Sequence, residues 1–122
     1  MRRLSGSQKK PAMLGKKQIF MSHHQAETGD NCHAMCAEVE ARGIARGWID
    51  TKADQVTKAA MKEGVESSDL FLLFVSPSVV KSWYTQYEIS MAFQSKKRIV
   101  VVYDGEKVAN PEELLSRRSR VQ

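Results

Sequence analysis

The segment from Asp69 to Ser76 constrains the fold of this chain most strongly. Its sequence, DLFLLFVS, places apolar side chains at six successive positions, so both faces of the element need to be covered. A strand that is apolar on both faces is typical of the centre of a parallel sheet with helices packed on either side. Pro77 ends the element because it has no backbone N–H for a further ladder bond. The pattern favours an α/β fold organised around this strand.

Helices and strands alternate along the rest of the chain. Further strands are predicted at 17–22, 48–50 and 98–103, and helices at 31–42, 58–64, 82–96 and 110–115. Connections that contain a helix are too long for hairpins, so we predict parallel β-α-β units. The polar residues 23–30 are assigned to a loop, with Asp30 or Asn31 capping the next helix and Gly43 ending it. The expected architecture is a doubly wound sheet of four strands, or of five, with helices on both faces.

Basic residues are concentrated at the N-terminus. The formal net charge is +5, but residues 1–17 contain six lysines and arginines and no acid. The remainder therefore carries 13 bases (19 − 6 = 13) against 14 acids, so the folded part is nearly neutral and nucleic-acid binding is not expected. Residues 1–16 lack apolar periodicity and contain glycine and proline, so we interpret them as a flexible basic leader.

The cysteines and the apolar runs indicate a cytoplasmic protein. No run approaches the roughly 20 apolar residues of a membrane span, and no apolar stretch follows the N-terminal arginines as in a secretory signal. Cys32 and Cys36 lie four residues apart on one predicted helix, which indicates reduced thiols. We expect Cys36 in the core and Cys32 at the surface. Their spacing differs from the C-x2-C pairs of zinc sites, so no metal is expected.

Candidate site residues follow the predicted strands, because an open parallel sheet binds ligands outside the carboxyl ends of its strands. The helix after the central strand is expected to overhang the same edge with its aromatic first turns, and its Glu88 is the candidate carboxylate of this cleft. A surface glutamate without a chemical role, and rings that serve packing alone, are the competing interpretations. The candidate binding residues are His23, His24, Asp50, Ser76, Trp83 and Tyr84.

Other classes of nucleotide-binding and hydrolytic protein lack support in this sequence. A phosphoacceptor receiver domain requires an aspartate at the end of its third strand, where this chain has Ser76 and Pro77. Neither G-x-x-x-x-G-K-[ST] nor G-x-G-x-x-G, the two common phosphate-binding loops, occurs. No G-x-S-x-G elbow surrounds Ser76, so a serine-hydrolase triad is not predicted.

Five segments, taken in order, resemble the Toll/interleukin-1 receptor (TIR) domain family. They are QIFMSHH, the ARG after the first helix, WID, SSDLFLLFVSPS and SWYTQYEISMA, and the resemblance covers about residues 18–103. It implies a flavodoxin-like sheet, self-association with other TIR domains and, in many members, hydrolysis or cyclisation of NAD. Glu88 matches the family's catalytic glutamate by position and context. Tyr84 stands four residues before it, where the family often has an aromatic residue.

The resemblance implies two functions. The first is an NAD glycohydrolase, without a cofactor, that yields nicotinamide and ADP-ribose or a cyclic isomer in innate-immune or cell-death signalling. The alternative is a non-catalytic scaffold that acts by homotypic TIR–TIR contact. The chain departs from the family in three places: His23 and His24 replace an aromatic and a basic residue, the loop after Asp50 lacks a proline-glycine turn, and the expected last strand and helix are absent or cut off. We therefore interpret 17–104 as the domain core and 105–122 as its truncated or degenerate end.

Overall fold

A parallel sheet forms the centre of the molecule. The structure, a computed structural model, describes residues 17–49 and 57–121. Its four described strands are β1 (Lys17–Ser22), β2 (Ala45–Trp48), β3 (Leu70–Val75) and β4 (Ile99–Tyr103), in the spatial order β2-β1-β3-β4. All neighbouring pairs are parallel. The predicted doubly wound α/β fold is confirmed, and the strand order reverses between β1 and β3.

Helices pack on both faces of this sheet. Helix α1 (Gln25–Ala41) covers one face, and α2 (Lys58–Ser67), α3 (Trp83–Gln94) and α4 (Pro111–Val121) pack on the other. A short 3-10 helix, Val79–Lys81, connects β3 to α3. Ser82 caps α3 as predicted, since its Oγ accepts a hydrogen bond from the Thr85 N–H at 3.3 Å. Within the described ranges, no helix combines the length and apolar character needed to cross a membrane.

Three aromatic rings lie side by side across the sheet on the face that α2 covers. Phe20 of β1 is in register with Trp48 and with Phe71, and its ring centroid lies 4.6 Å and 5.3 Å from theirs. Both phenylalanines are fully buried. A Cβ atom at Gly64 of α2 would come within 2.6 Å of the Trp48 ring. Glycine is therefore what lets α2 pack this closely on the sheet.

The predicted start of the first helix and position of the second strand are wrong. Helix α1 begins at Gln25 because the extended residue His24 is its N-cap, and the His24 carbonyl accepts from the N–H groups of Glu27 and Thr28 at 3.0 and 2.9 Å. Residues 25–30 thus form helical turns instead of a loop. Strand β2 spans Ala45–Trp48 rather than 48–50. Asp50 and residues 51–56, which are predicted to belong to a loop, lie outside the described residues.

The sequence predicts the end of α1 correctly but places the ends of α2 and α4 too early. Gly43 ends α1 as expected: its φ is +68°, its N–H donates to the Glu40 carbonyl, and the next N–H donates to the carbonyl of Val39. In contrast, α2 continues past Gly64 and α4 extends beyond residue 115.

The two thiols share one side of α1. Cys36 lies in the core as predicted, but Cys32 is also fully buried, so its prediction as a surface residue is wrong. Residues four apart occupy the same side of a helix, and this side of α1 packs on the sheet with Met21 and Phe74.

Candidate functional site

Glu88 of α3 is buried against the carboxyl end of β1. Its side chain is 1% exposed, and Oε1 accepts a hydrogen bond from Ser22 Oγ at 2.7 Å. Ser22 is the last residue of β1 and lies on the same face as Phe20, because side chains alternate along a strand. Burying a carboxylate is costly unless hydrogen bonds compensate, so this is not an ordinary solvated glutamate. The candidate lies where the strand order reverses, which is where open α/β sheets bind ligands.

A second contact fixes the start of α3 on the same strand end. Thr85, which is 1% exposed, has its Oγ1 placed 3.4 Å from the His23 carbonyl oxygen, to which it donates. Thr85 and Glu88 are three residues apart and therefore lie on one side of the helix. Together the two contacts hold that side of α3 against Ser22 and His23.

Aromatic side chains cover the outer surface of this helix start. Trp83 and Tyr84 are 50% and 48% exposed, so neither is a core residue. The Trp83 ring stacks on Tyr87 with centroids 5.7 Å apart and meets Tyr84 edge to face at 4.9 Å. Lys58 Nζ lies 5.4 Å from the Trp83 ring centroid, within cation–π range. Half-exposed aromatic rings beside a cation suit either a planar aromatic ligand or a protein partner.

Glu27 connects the loop after β3 to the first turn of α1. Its Oε1 accepts the Ser78 N–H at 2.9 Å and lies 3.8 Å from His24 Nδ1. Burial raises the pKa of Glu27, but hydrogen bonds from Ser76 and Ser78 and the nearby His24 outweigh it, so the pKa is lowered from its usual value of 4.5. The ionised carboxylate thus holds together the chain segments that follow β1 and β3.

Replacing Glu27 with glutamine is expected to remove part of the stability of the domain at neutral pH. A folded-state pKa below the unfolded value contributes stability that is present above the unfolded pKa and is lost as the pH falls through the folded pKa. We expect the difference in unfolding free energy between wild type and Glu27→Gln to be larger at pH 7 than well below pH 4.5. Urea unfolding at both pH values measures this difference. A difference that does not change with pH would contradict a role for the charge.

The predicted binding residues fall into separate groups. Ser76 lines a cleft beside α1, on the side of the sheet opposite Glu88. The His23 imidazole is buried on the α1 side, where Nε2 lies 2.8 Å from Gln25 Oε1 and the ring meets His33 edge to face at 6.1 Å. Only the His23 backbone approaches Thr85. The structure therefore brings Glu88 together with Ser22 and Thr85, but not with Ser76 or the histidine rings.

Three residues of this region are absent from the predicted set, namely Ser22, Glu27 and Thr85. Ser22 is detectable from alternation, because Phe20 and Ser22 share the face on which α3 packs. Thr85 is detectable from its three-residue spacing to Glu88. Glu27 is not, since its assignment to a loop hides its position in the first turn of a helix.

The described residues contain no group of three or more histidine, cysteine, aspartate and glutamate side chains arranged to hold a metal ion. Cys32 and Cys36 are thiols buried in α1. The chemistry available near Glu88 is that of a carboxylate, two hydroxyls and aromatic rings.

Comparison of the sequence and the structure with known proteins identifies the family of this chain. The family model of the TIR domain matches residues 19–122, so the chain belongs to the TIR domain family. No curated protein matches its sequence. Among solved structures, the TIR domains of the activated Roq1 resistosome, which directly recognises the pathogen effector XopQ, superpose with a TM-score of 0.64 at 13% identity, over 86% of this chain and 72% of that one.

A second similar structure is a metazoan TIR-STING receptor from C. gigas. Its TM-score is 0.60 at 15% identity, over 88% of this chain and 41% of the receptor. The chain thus spans less than half of that receptor. Both similarities describe the fold, because the sequence identities are low.

Proposed function

We propose that this TIR domain cleaves the nicotinamide–ribose bond of NAD, with Glu88 as the catalytic carboxylate. The observation that carries the proposal is the buried Glu88 side chain, whose Oε1 lies 2.7 Å from Ser22 Oγ where the strand order reverses. Family membership supports it, since Glu88 stands where the resemblance to NAD-cleaving TIR domains expects a glutamate. The same proposal places the protein in the cytoplasm, where thiols such as those of Cys32 and Cys36 stay reduced.

The bond cleavage requires little from the protein beyond electrostatic stabilisation. Nicotinamide leaves as a neutral base because the electron pair of the broken C–N bond neutralises the pyridinium nitrogen, so no general acid is needed. Positive charge develops on the ribosyl carbon, and a nearby carboxylate stabilises such an oxocarbenium-like centre. Attack by water, with loss of one proton, gives ADP-ribose. Attack by a nitrogen of the adenine ring gives a cyclic isomer.

Ser22 and Tyr84 have supporting roles in this proposal. The Ser22 hydroxyl donates to one oxygen of Glu88 and so fixes the carboxylate that faces the developing charge. Tyr84 lies one helical turn before Glu88, and its exposed ring can stack on the nicotinamide or the adenine. Because Glu88 is almost fully covered, binding of NAD requires its neighbours to move, and self-association is the proposed trigger.

The same burial favours a second candidate function, that of a non-catalytic scaffold that contacts other TIR domains. Here Glu88 and Ser22 form a structural hydrogen bond, and the exposed Trp83 and Tyr84 belong to an interaction surface. Aromatic residues are enriched in protein interfaces, so this function accounts for their exposure. The two candidates differ in whether Glu88 is needed for activity.

Nicotinamide release from NAD by the purified protein tests the proposal. The assay uses increasing protein concentration and a tethered oligomer, beside Glu88→Ala and the matched control Glu63→Ala, an exposed glutamate of α2. Circular dichroism checks that each variant is folded. Turnover by wild type and the control, with none by Glu88→Ala, supports the enzyme. If the wild type releases no nicotinamide even as a tethered oligomer, the scaffold function replaces the proposed enzymatic function.

A further inference from the structure

A cleft of about 720 Å³ lies between α1 and the carboxyl ends of β3 and β4, on the sheet face opposite Glu88. Its floor is apolar and is formed by Met35, Phe74 and Val102. Met35 and Val102 are only partly buried, and Tyr103 at the end of β4 is 48% exposed. The floor therefore offers apolar surface to an occupant of suitable size.

The rim of this cleft is acidic. Helix α1 carries four acids and no lysine or arginine. Two of these acids, Glu27 and Glu38, line the cleft, and Asp104 lines it from the end of β4. Lys107 is the one cation among the described lining residues, and Arg42 outside the cleft pairs with Glu38. An occupant that combines cationic and apolar groups matches this surface.

The N-terminal leader, residues 1–16, has this complementary chemistry. It contains five bases and no acid, interspersed with four large apolar side chains, which are Met1, Leu4, Met13 and Leu14. Sixteen extended residues span at most about 53 Å. The leader joins the first residue of β1, and the N-terminal end of β4 lies two strands away from it, about 10 Å. A strand of six residues rises about 20 Å, which is the further distance to the carboxyl ends that border the cleft. The leader is therefore long enough to run along the whole cleft.

We propose that the leader docks in the cleft between α1 and β4. Its bases pair with the acids of α1, and its apolar side chains contact Met35, Phe74 and Val102. Because the leader is covalently attached to the same domain, its effective concentration at the cleft is on the order of millimolar, so weak contacts suffice to keep it bound. Screening by salt weakens the interaction, since its charged part is solvent-exposed.

Paramagnetic relaxation in the full chain tests this docking. A nitroxide attached through Ser7→Cys labels the leader, because both native thiols are buried. Methionine methyl groups enriched in ¹³C report its position: Met35 lines the cleft, whereas Met61 in α2 and Met91 in α3 lie on the other face of the sheet. We expect the Met35 signal to be lost and the Met61 and Met91 signals to persist. Equal broadening of all three, or none, would overturn the proposal.

Charge-reversal variants test the basis of the contact. The double variant Asp30→Lys and Glu38→Lys, at exposed positions of α1, is expected to restore the Met35 signal. The matched control is Glu63→Lys and Glu66→Lys, which makes the same charge change on exposed positions of α2 and leaves the broadening intact. Persistent broadening in the α1 variant refutes the proposal. So does loss of the Met35 signal when nitroxide-free ¹³C protein is mixed with nitroxide-labelled protein, because the occupant is then a second copy.

Discussion

Truncation of Phe20 to alanine is expected to reduce the free energy of unfolding by about 3–5 kcal/mol. Phe20 is fully buried and stacks with Trp48 on one side and Phe71 on the other. The variant loses both ring pairs, each contributing about 0.5–1.5 kcal/mol beyond the buried area, and leaves a cavity under α2. Gly64 lets α2 contact the Trp48 ring directly. Because the Phe20 ring orients Trp48, its loss also weakens the packing of α2 on that ring.

Urea unfolding monitored by circular dichroism measures this loss. The matched control is Phe93→Ala on α3, where the side chain is 62% exposed and the expected change is within about 0.5 kcal/mol. Because the whole domain is stabilised by only about 5–15 kcal/mol, Phe20→Leu provides a milder second variant that keeps part of the volume. Equal losses at positions 20 and 93 would contradict the placement of Phe20 at the centre of the ring stack.

The fold is largely predictable because its strongest signals are local. The apolar run of β3 requires cover on both faces, and Pro77 and Ser82 mark where the strand ends and the next helix begins. Gly43 likewise marks the end of α1, since its positive φ favours glycine. Each signal depends on backbone chemistry within a few residues, so it can be recognised without knowledge of the tertiary structure.

The start of α1 is not predictable in this way, because tertiary contacts determine it. Residues 25–30 are polar and lack an apolar stripe, yet Glu27 reaches the Ser78 N–H across 51 residues of sequence. That distant hydrogen bond stabilises the first turn, which local propensity leaves open. The same limit applies to Ser22 and Glu88, which are 66 residues apart and meet only when α3 packs on β1.

Two carboxylates lie near the point where the strand order reverses, on opposite faces of the sheet. Glu27 of α1 connects the chain after β1 to the chain after β3, and Glu88 of α3 contacts the end of β1 itself. They differ in surroundings, since the Glu27 side chain is 29% exposed and Glu88 is nearly inaccessible. A solvent-exposed carboxylate is suited to holding loops together. A desolvated carboxylate interacts more strongly with a developing positive charge, which favours Glu88 over Glu27 as the catalytic group of the proposed reaction.

Under the proposed NAD cleavage, substitution of Glu88 by glutamine is expected to slow nicotinamide release by about 100-fold to 1,000-fold. Glutamine has nearly the same shape and retains an oxygen that accepts from Ser22, so the fold is preserved while the negative charge is lost. Because the charge acts on the transition state, kcat is expected to fall with little change in KM. A large rise in KM with unchanged kcat would instead indicate that Glu88 only binds substrate.

Ser22→Ala separates positioning from charge. The hydrogen bond to Glu88 contributes about 1.5–3 kcal/mol if it is as strong as typical bonds to charged groups, so the variant retains the carboxylate but lets it move. We expect a smaller loss of kcat than in Glu88→Gln, and little further loss when both substitutions are combined, since a mispositioned group that has lost its charge has no more to lose. The exposed Glu63→Gln should match wild type. Additive losses in the double variant would mean that Ser22 acts on the substrate independently of Glu88.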